Sequence, residues 1–144
     1  MVTGDLKLFG ICHLVIGNYQ MSVVDADATW DSMKMKLEPI IVLATCGSEE
    51  EALRIANALV EEHLAACVNL VSPIRSIYRW EGKIWDEKEW LLIIKTQKKR
   101  FQELEKKVKS LHSYSVPEII SLPIVEGSSS YLNWLVEMTE EQKS

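Results

Sequence analysis

Residues 64–96 hold two long extended runs joined by one short polar break, and any fold must accommodate both. The first run carries Cys67, Val68, Leu70, Val71, Ile74, Ile77, Tyr78 and Trp80; the second carries Ile84, Trp85, Trp90, Leu91, Leu92, Ile93 and Ile94. β-branched and aromatic side chains at this density favour strands. Glu81-Gly82 supplies the turn, since glycine reaches turn conformations at low steric cost. Each arm is about 12–15 residues, roughly 40–50 Å if straight, which exceeds what one small domain covers. The hairpin must therefore bend, bulge or meet a partner subunit.

Residues 1–38 show no long hydrophobic period and read as a poorly ordered extension. Pro39 marks the boundary of a domain over 39–144. Ile40 to Cys46 is an apolar run of strand length, ended by Gly47. Ser48 fits a helix N-cap, and Glu51 stands three residues on, as a capping box requires. Ala52, Ile55, Ala56, Leu59, Val60 and His63 then repeat at helical spacing. After the hairpin, Phe101, Leu104, Val108 and Leu111 mark a second amphipathic helix. Lys98-Lys99-Arg100 at its start reads as a solvated surface. Ile119 to Ile124 is a further strand, in which Pro123 belongs at an edge or strand end. Tyr131, Leu132, Trp134, Leu135 and Met138 make a last short helix.

The order strand, helix, strand, strand, helix, strand predicts an α+β fold. It is a ferredoxin-like two-layer sandwich: a four-stranded antiparallel sheet with both helices on one face, a long central hairpin and an extra C-terminal helix. The strands are apolar nearly throughout, so the helix-free face also needs cover. Surplus hairpin length and a bare apolar face both point to an oligomer.

The chain has 144 residues, a formal charge of −5 and three cysteines. The acidic balance gives no electrostatic reason to bind nucleic acid. No apolar run is long enough to span a bilayer. The apolar stretch 8–16 makes a poor secretion signal, with one lysine before it and His13 within it, so a cytoplasmic location is expected. The 38-residue leader leaves organelle targeting open. Cys12, Cys46 and Cys67 lack CxxC spacing, which argues against a disulfide framework or zinc knuckle.

Chemistry-bearing residues are few. No phosphate-binding glycine loop, nucleophile elbow or HExxH occurs, so no enzyme is expected. His63 suits a structural place at a helix C-terminus. His112 begins a loop that ends at Glu118, and imidazole with carboxylate suits a borderline cation such as zinc or copper. The bland alternative is that His112 caps its helix and Glu118 meets a lysine or a backbone amide. Trp80, Trp85 and Trp90 with Tyr78 crowd one hairpin and suit an interface.

Five blocks in order resemble the CutA divalent-cation-tolerance family. They are LAACVNL at 64–70, SIYRWEGKI at 76–84, LIIKT at 92–96, HSYSVPEII at 112–120 and YLNWL at 131–135. The resemblance implies a ferredoxin-like subunit in a homotrimer whose long hairpins pair between subunits. It implies a non-catalytic protein associated with tolerance to copper and other divalent cations, binding copper or zinc. By position it places the metal-associated residues on His112 and Glu118. The bacterial cysteine falls on Ala44; two residues on, Cys46 shares the same strand face and is the thiol that could stand in, the alternative being a buried, inert thiol. The bacterial HPY reads His112-Ser113-Tyr114 here. The alternative is a trimeric signalling or scaffold protein that binds a small anion or a protein at clefts between subunits.

Overall fold

The computed structural model describes residues 37–141, together with the backbone of 13–16 and 19–22. The chain divides into two compact units, Met1–Leu37 and Glu38–Ser144. In the first, strand β1 (His13–Ile16) pairs antiparallel with β2 (Tyr19–Ser22). The expectation that 1–38 is poorly ordered otherwise lies outside the described residues.

The second unit runs β3 (Pro39–Cys46), α1 (Glu49–Glu61), β4 (Cys67–Trp80), β5 (Lys83–Gln97), a 3₁₀ turn (Lys98–Arg100), α2 (Phe101–Leu111), β6 (Ile119–Pro123) and α3 (Ser129–Met138). The four strands form one antiparallel sheet in the order β4-β5-β3-β6. This is the predicted ferredoxin-like sandwich. Ile40, Val42, Ala44 and Cys46 of β3 alternate inward and meet Leu92 and Ile94 of β5. Ala52, Ile55, Ala56 and Leu59 of α1 and Leu104 and Val108 of α2 close that face. The strand period of two and the helical period of 3.6 thus bring their apolar stripes into one core.

Ser48 is the N-cap of α1, and its Oγ accepts from the Glu51 amide at 3.3 Å. The other half of the expected capping box is replaced by a longer-range contact. The Glu51 carboxylate turns to Ser113, accepting from its backbone amide and from its hydroxyl. Lys98 and Lys99 are exposed, as expected, but Arg100 departs from the expected solvated surface. Arg100 is buried and donates from Nε to the Thr139 carbonyl at 2.7 Å, while Lys98 pairs with Glu38 and Lys99 with Glu140. Lys99 and Arg100 thereby fasten the end of the C-terminal helix, while Lys98 ties the start of β3. His63 is structural, as expected: its Nδ1 lies 2.9 Å from the Met138 carbonyl.

The hairpin keeps its surplus length. Trp90–Gln97 of β5 pair with β3, but Lys83–Glu89 pair only with β4. A two-stranded arm therefore extends past the four-stranded sheet, beyond a register shift between Val71 and Ile74. Pro73 sits in that shift, where its missing N–H interrupts no ladder bond. Glu81 and Gly82 both have positive φ, 50° and 76°, the geometry of a two-residue hairpin turn whose twist matches its strands. Ile77 and Ile84 on the arm are each 68% exposed, and Tyr78, Trp80 and Trp85 are exposed beside them. Trp90 instead packs against the core.

Candidate functional site

Three elements converge at the end of β3. Cys46 is its last residue, Glu51 lies in the first turn of α1, and His112 caps α2. One ligand atom from each of Cys46, Glu51 and His112 lies within 4.8 Å of the others. All three side chains are buried, that of His112 completely.

Each donor already has a role in the protein as it stands. The Tyr114 amide donates to His112 Nδ1 at 3.0 Å, so Nδ1 carries a lone pair and Nε2 carries the proton. That Nε2–H donates to the Thr45 carbonyl at 2.7 Å. Glu51 holds Ser113, and its Oε1 lies 3.9 Å from His112 Nδ1. Burial, reinforced by the nearby Glu51 and Glu89 charges, pushes the Cys46 thiol up to about 12. The set of thiol, carboxylate and imidazole fits a borderline cation in identity and spacing. It fits only after the thiol loses its proton and Nδ1 gives up Tyr114.

Of the three residues singled out in the sequence, the fold brings Cys46 and His112 together. Glu118 stands apart, exposed on the rim of a neighbouring cleft. The carboxylate that joins the pair is Glu51, which the sequence suggested only as a capping residue. Its signal was present: an acid one turn into α1 lies close to the C-terminal end of the strand before it.

The cleft has a volume of about 520 Å³ and is lined by Thr45, Tyr78, Trp80, Glu89, Tyr114 and Glu118, among others. Tyr78 donates its hydroxyl proton to Glu87 at 2.8 Å. Burial, followed by the Glu89 charge, raises the Tyr114 phenol well above its ordinary range. Gly47 makes room for this phenol, since a Cβ there would stand 2.9 Å from the Tyr114 hydroxyl. Cys67 lies elsewhere, half-buried, with its Sγ 4.0 Å from Lys95 Nζ. Cys12 lies outside the described residues.

Residues 40–138 match the family model described as CutA1 divalent ion tolerance protein. A divalent-cation tolerance protein CutA from Thermus thermophilus is 54% identical over 99 residues, covering 69% of this chain and 96% of that protein. A CutA protein of Arabidopsis thaliana, named chloroplastic, is 36% identical over 137 residues, covering 95% of this chain and 75% of its own length. Among solved structures, CutA1 from Oryza sativa superposes with a TM-score of 0.71 at 44% identity, covering 74% of this chain and 97% of that one. The Thermus thermophilus structure gives a TM-score of 0.70 at 53% identity, covering 71% and 99%. Among the described residues no helix is long and apolar enough to cross a membrane. With the matched span reaching from the first residues of the sheet through the His112 loop to the last helix, the chain belongs to the CutA1 divalent ion tolerance protein family.

Proposed function

We propose that this chain is a homotrimeric, non-catalytic protein that binds a copper or zinc ion through Cys46, Glu51 and His112. The observation that carries this reading is the meeting of the three ligand atoms within 4.8 Å. Sulfur, oxygen and nitrogen donors on three separate elements suit a borderline cation, which would draw β3, α1 and the His112 loop together. Cys46 would release its proton, and Tyr114 would lose its acceptor on His112. Both changes oppose binding, so affinity is modest and rises with pH. Glu51 supplies the carboxylate in this reading, and Glu118 belongs to the cleft.

The trimer is supported by the arm. Its exposed Ile77, Tyr78, Trp80, Ile84 and Trp85 extend past the sheet, and a partner sheet would bury them. The compartment in this reading is the cytoplasm, with residues 1–38 as the segment able to redirect the chain.

Zinc titration of the EDTA-treated full chain by calorimetry tests the site. The expected result is one ion per chain, with Cys46→Ser and Glu51→Gln each weakening binding about tenfold or more, the order set by losing one ligand. Unchanged affinity in both variants would sink the assignment.

A further inference from the structure

We propose that the Ser113–Tyr114 segment is a latch that competes with the ion for Glu51 and His112, so that Ser113 sets the affinity of the buried cluster. The inference rests on the Cys46–Glu51–His112 reading above. A neutral imidazole has one nitrogen lone pair to offer, and on His112 Nδ1 that pair already accepts the Tyr114 amide at 3.0 Å. Nε2 carries the proton, which the Thr45 carbonyl accepts at 2.7 Å, so that nitrogen has no lone pair to offer instead. Binding an ion through His112 therefore requires the 113–114 peptide to turn away.

Ser113 opposes that movement. Its amide donates to Glu51 Oε1, and its hydroxyl donates to Oε2 at 3.1 Å. Oε1 is also the oxygen that lies 3.9 Å from His112 Nδ1. Hydrogen bonds to a carboxylate are stronger than those between neutral groups, and these two anchor the peptide whose next amide caps Nδ1. An ion that binds only the released segment has its affinity reduced by the fraction of chains in which the segment is released. Cys46 and Glu51 are buried and the His112 side chain is completely so, whereas Ser113 is exposed, so its departure opens the cluster from the solvent side. Ser113, Cys46, Glu51 and His112 lie neither on the hairpin arm nor in the lining of the cleft, so the latch does not depend on an arm left bare. The opposite role is that of a supporting partner: a Ser113 that orients Glu51 as a ligand would strengthen binding. The two roles differ in sign.

The test is zinc titration by calorimetry of the full chain and its Ser113 variants, stripped with EDTA and dialysed. Ser113→Ala removes the hydroxyl bond and should bind zinc several-fold more tightly than the wild type. Ser113→Pro removes both donors and should gain about tenfold or more, the order expected for one bond to a charged group. His112 has φ −82° and ψ 140°, an extended backbone that a residue before proline accepts. Ser115→Ala, at an exposed position two residues on, should leave affinity unchanged. Hydrogen exchange over residues 112–116, read by mass spectrometry, gives a second measure. Without metal, Ser113→Ala should exchange faster there than the wild type, and saturating zinc should speed exchange in the wild type. Wild-type zinc binding that weakens in Cys46→Ser but is unchanged or weaker in both Ser113 variants would overturn the latch and leave the metal site standing. Slower exchange on adding zinc would do the same. Zinc binding absent from the wild type and both Ser113 variants, or indifferent to Cys46→Ser, would overturn the site and the latch with it. If Ser113→Pro fails to fold, Ser113→Ala and hydrogen exchange decide the matter.

Discussion

The Nε2–H of His112 donates to the backbone carbonyl of Thr45 at 2.7 Å, across 67 residues of sequence. The same ring accepts the Tyr114 amide on Nδ1. One side chain therefore ties the end of β3 to the loop after α2, and both tied residues line the cleft. Replacing His112 by alanine leaves a part-buried donor and a part-buried acceptor unpaired. A loss of about 3 kcal/mol in urea unfolding is expected, from roughly 1–3 kcal/mol per orphaned group. A loss below about 0.5 kcal/mol, the level of an ordinary surface substitution, would show that the tie is dispensable.

Gly47 and Tyr114 make a second testable pair. Gly47→Ala drives a methyl to 2.9 Å from the Tyr114 hydroxyl, and a cost of about 1–3 kcal/mol is expected from overpacking. Tyr114→Phe removes the atom in the way, so the double variant should recover part of that loss. Gly82→Ala meets no neighbour but holds φ at +76°, and should cost about 1 kcal/mol through backbone strain alone. Chemical denaturation of the four variants distinguishes crowding from strain.

The Cys46 thiol carries a pH dependence whose sign is fixed. Its folded value is raised from 9.0 to about 12, so the folded state holds the proton more firmly than the unfolded chain. Its contribution is fully present below pH 9 and is lost as pH rises toward 12. Urea unfolding in EDTA at increasing pH should therefore show a steeper alkaline loss in the wild type than in Cys46→Ala. Equal slopes would contradict it. Alkylation with iodoacetamide in the folded protein should also be slow at neutral pH, because the thiolate is the reactive form.

Much of this architecture was legible in the chain because its signals are local and periodic. The β3 run, the α1 and α2 stripes and the turn at Glu81-Gly82 each follow from spacing within about one element. Long-range pairings were not legible. Glu51 looked like half of a capping box, but tertiary contact with Ser113 captured its carboxylate. Arg100 looked solvated, yet the C-terminal carbonyl of Thr139 made burial affordable. For the site, residue type pointed to His112 and Glu118 and the family resemblance added Cys46, while the carboxylate that meets His112 and Cys46 depended on how α1 leaves β3. Periodicity within one segment does not carry that information.

The arm makes a prediction about assembly. Ile77→Glu and Ile84→Glu change side chains that are already 68% exposed in one copy, so they should not unfold it. In a trimer they place charge in buried interfaces. Sedimentation equilibrium should give three times the 16.5 kDa chain mass for the wild type and a shift toward one chain for the double variant. A wild type that sediments as a single chain would contradict the trimer.

X-ray absorption at the zinc edge, on full chain loaded with one equivalent of zinc, reports directly whether the buried cluster holds the ion. Cys46, Glu51 and His112 as ligands require one sulfur neighbour, at the distance usual for zinc thiolate, together with nitrogen and oxygen neighbours and imidazole scattering. That sulfur should vanish in Cys46→Ser. A first shell of oxygen and nitrogen only in the wild type would place the ion elsewhere and contradict the assignment.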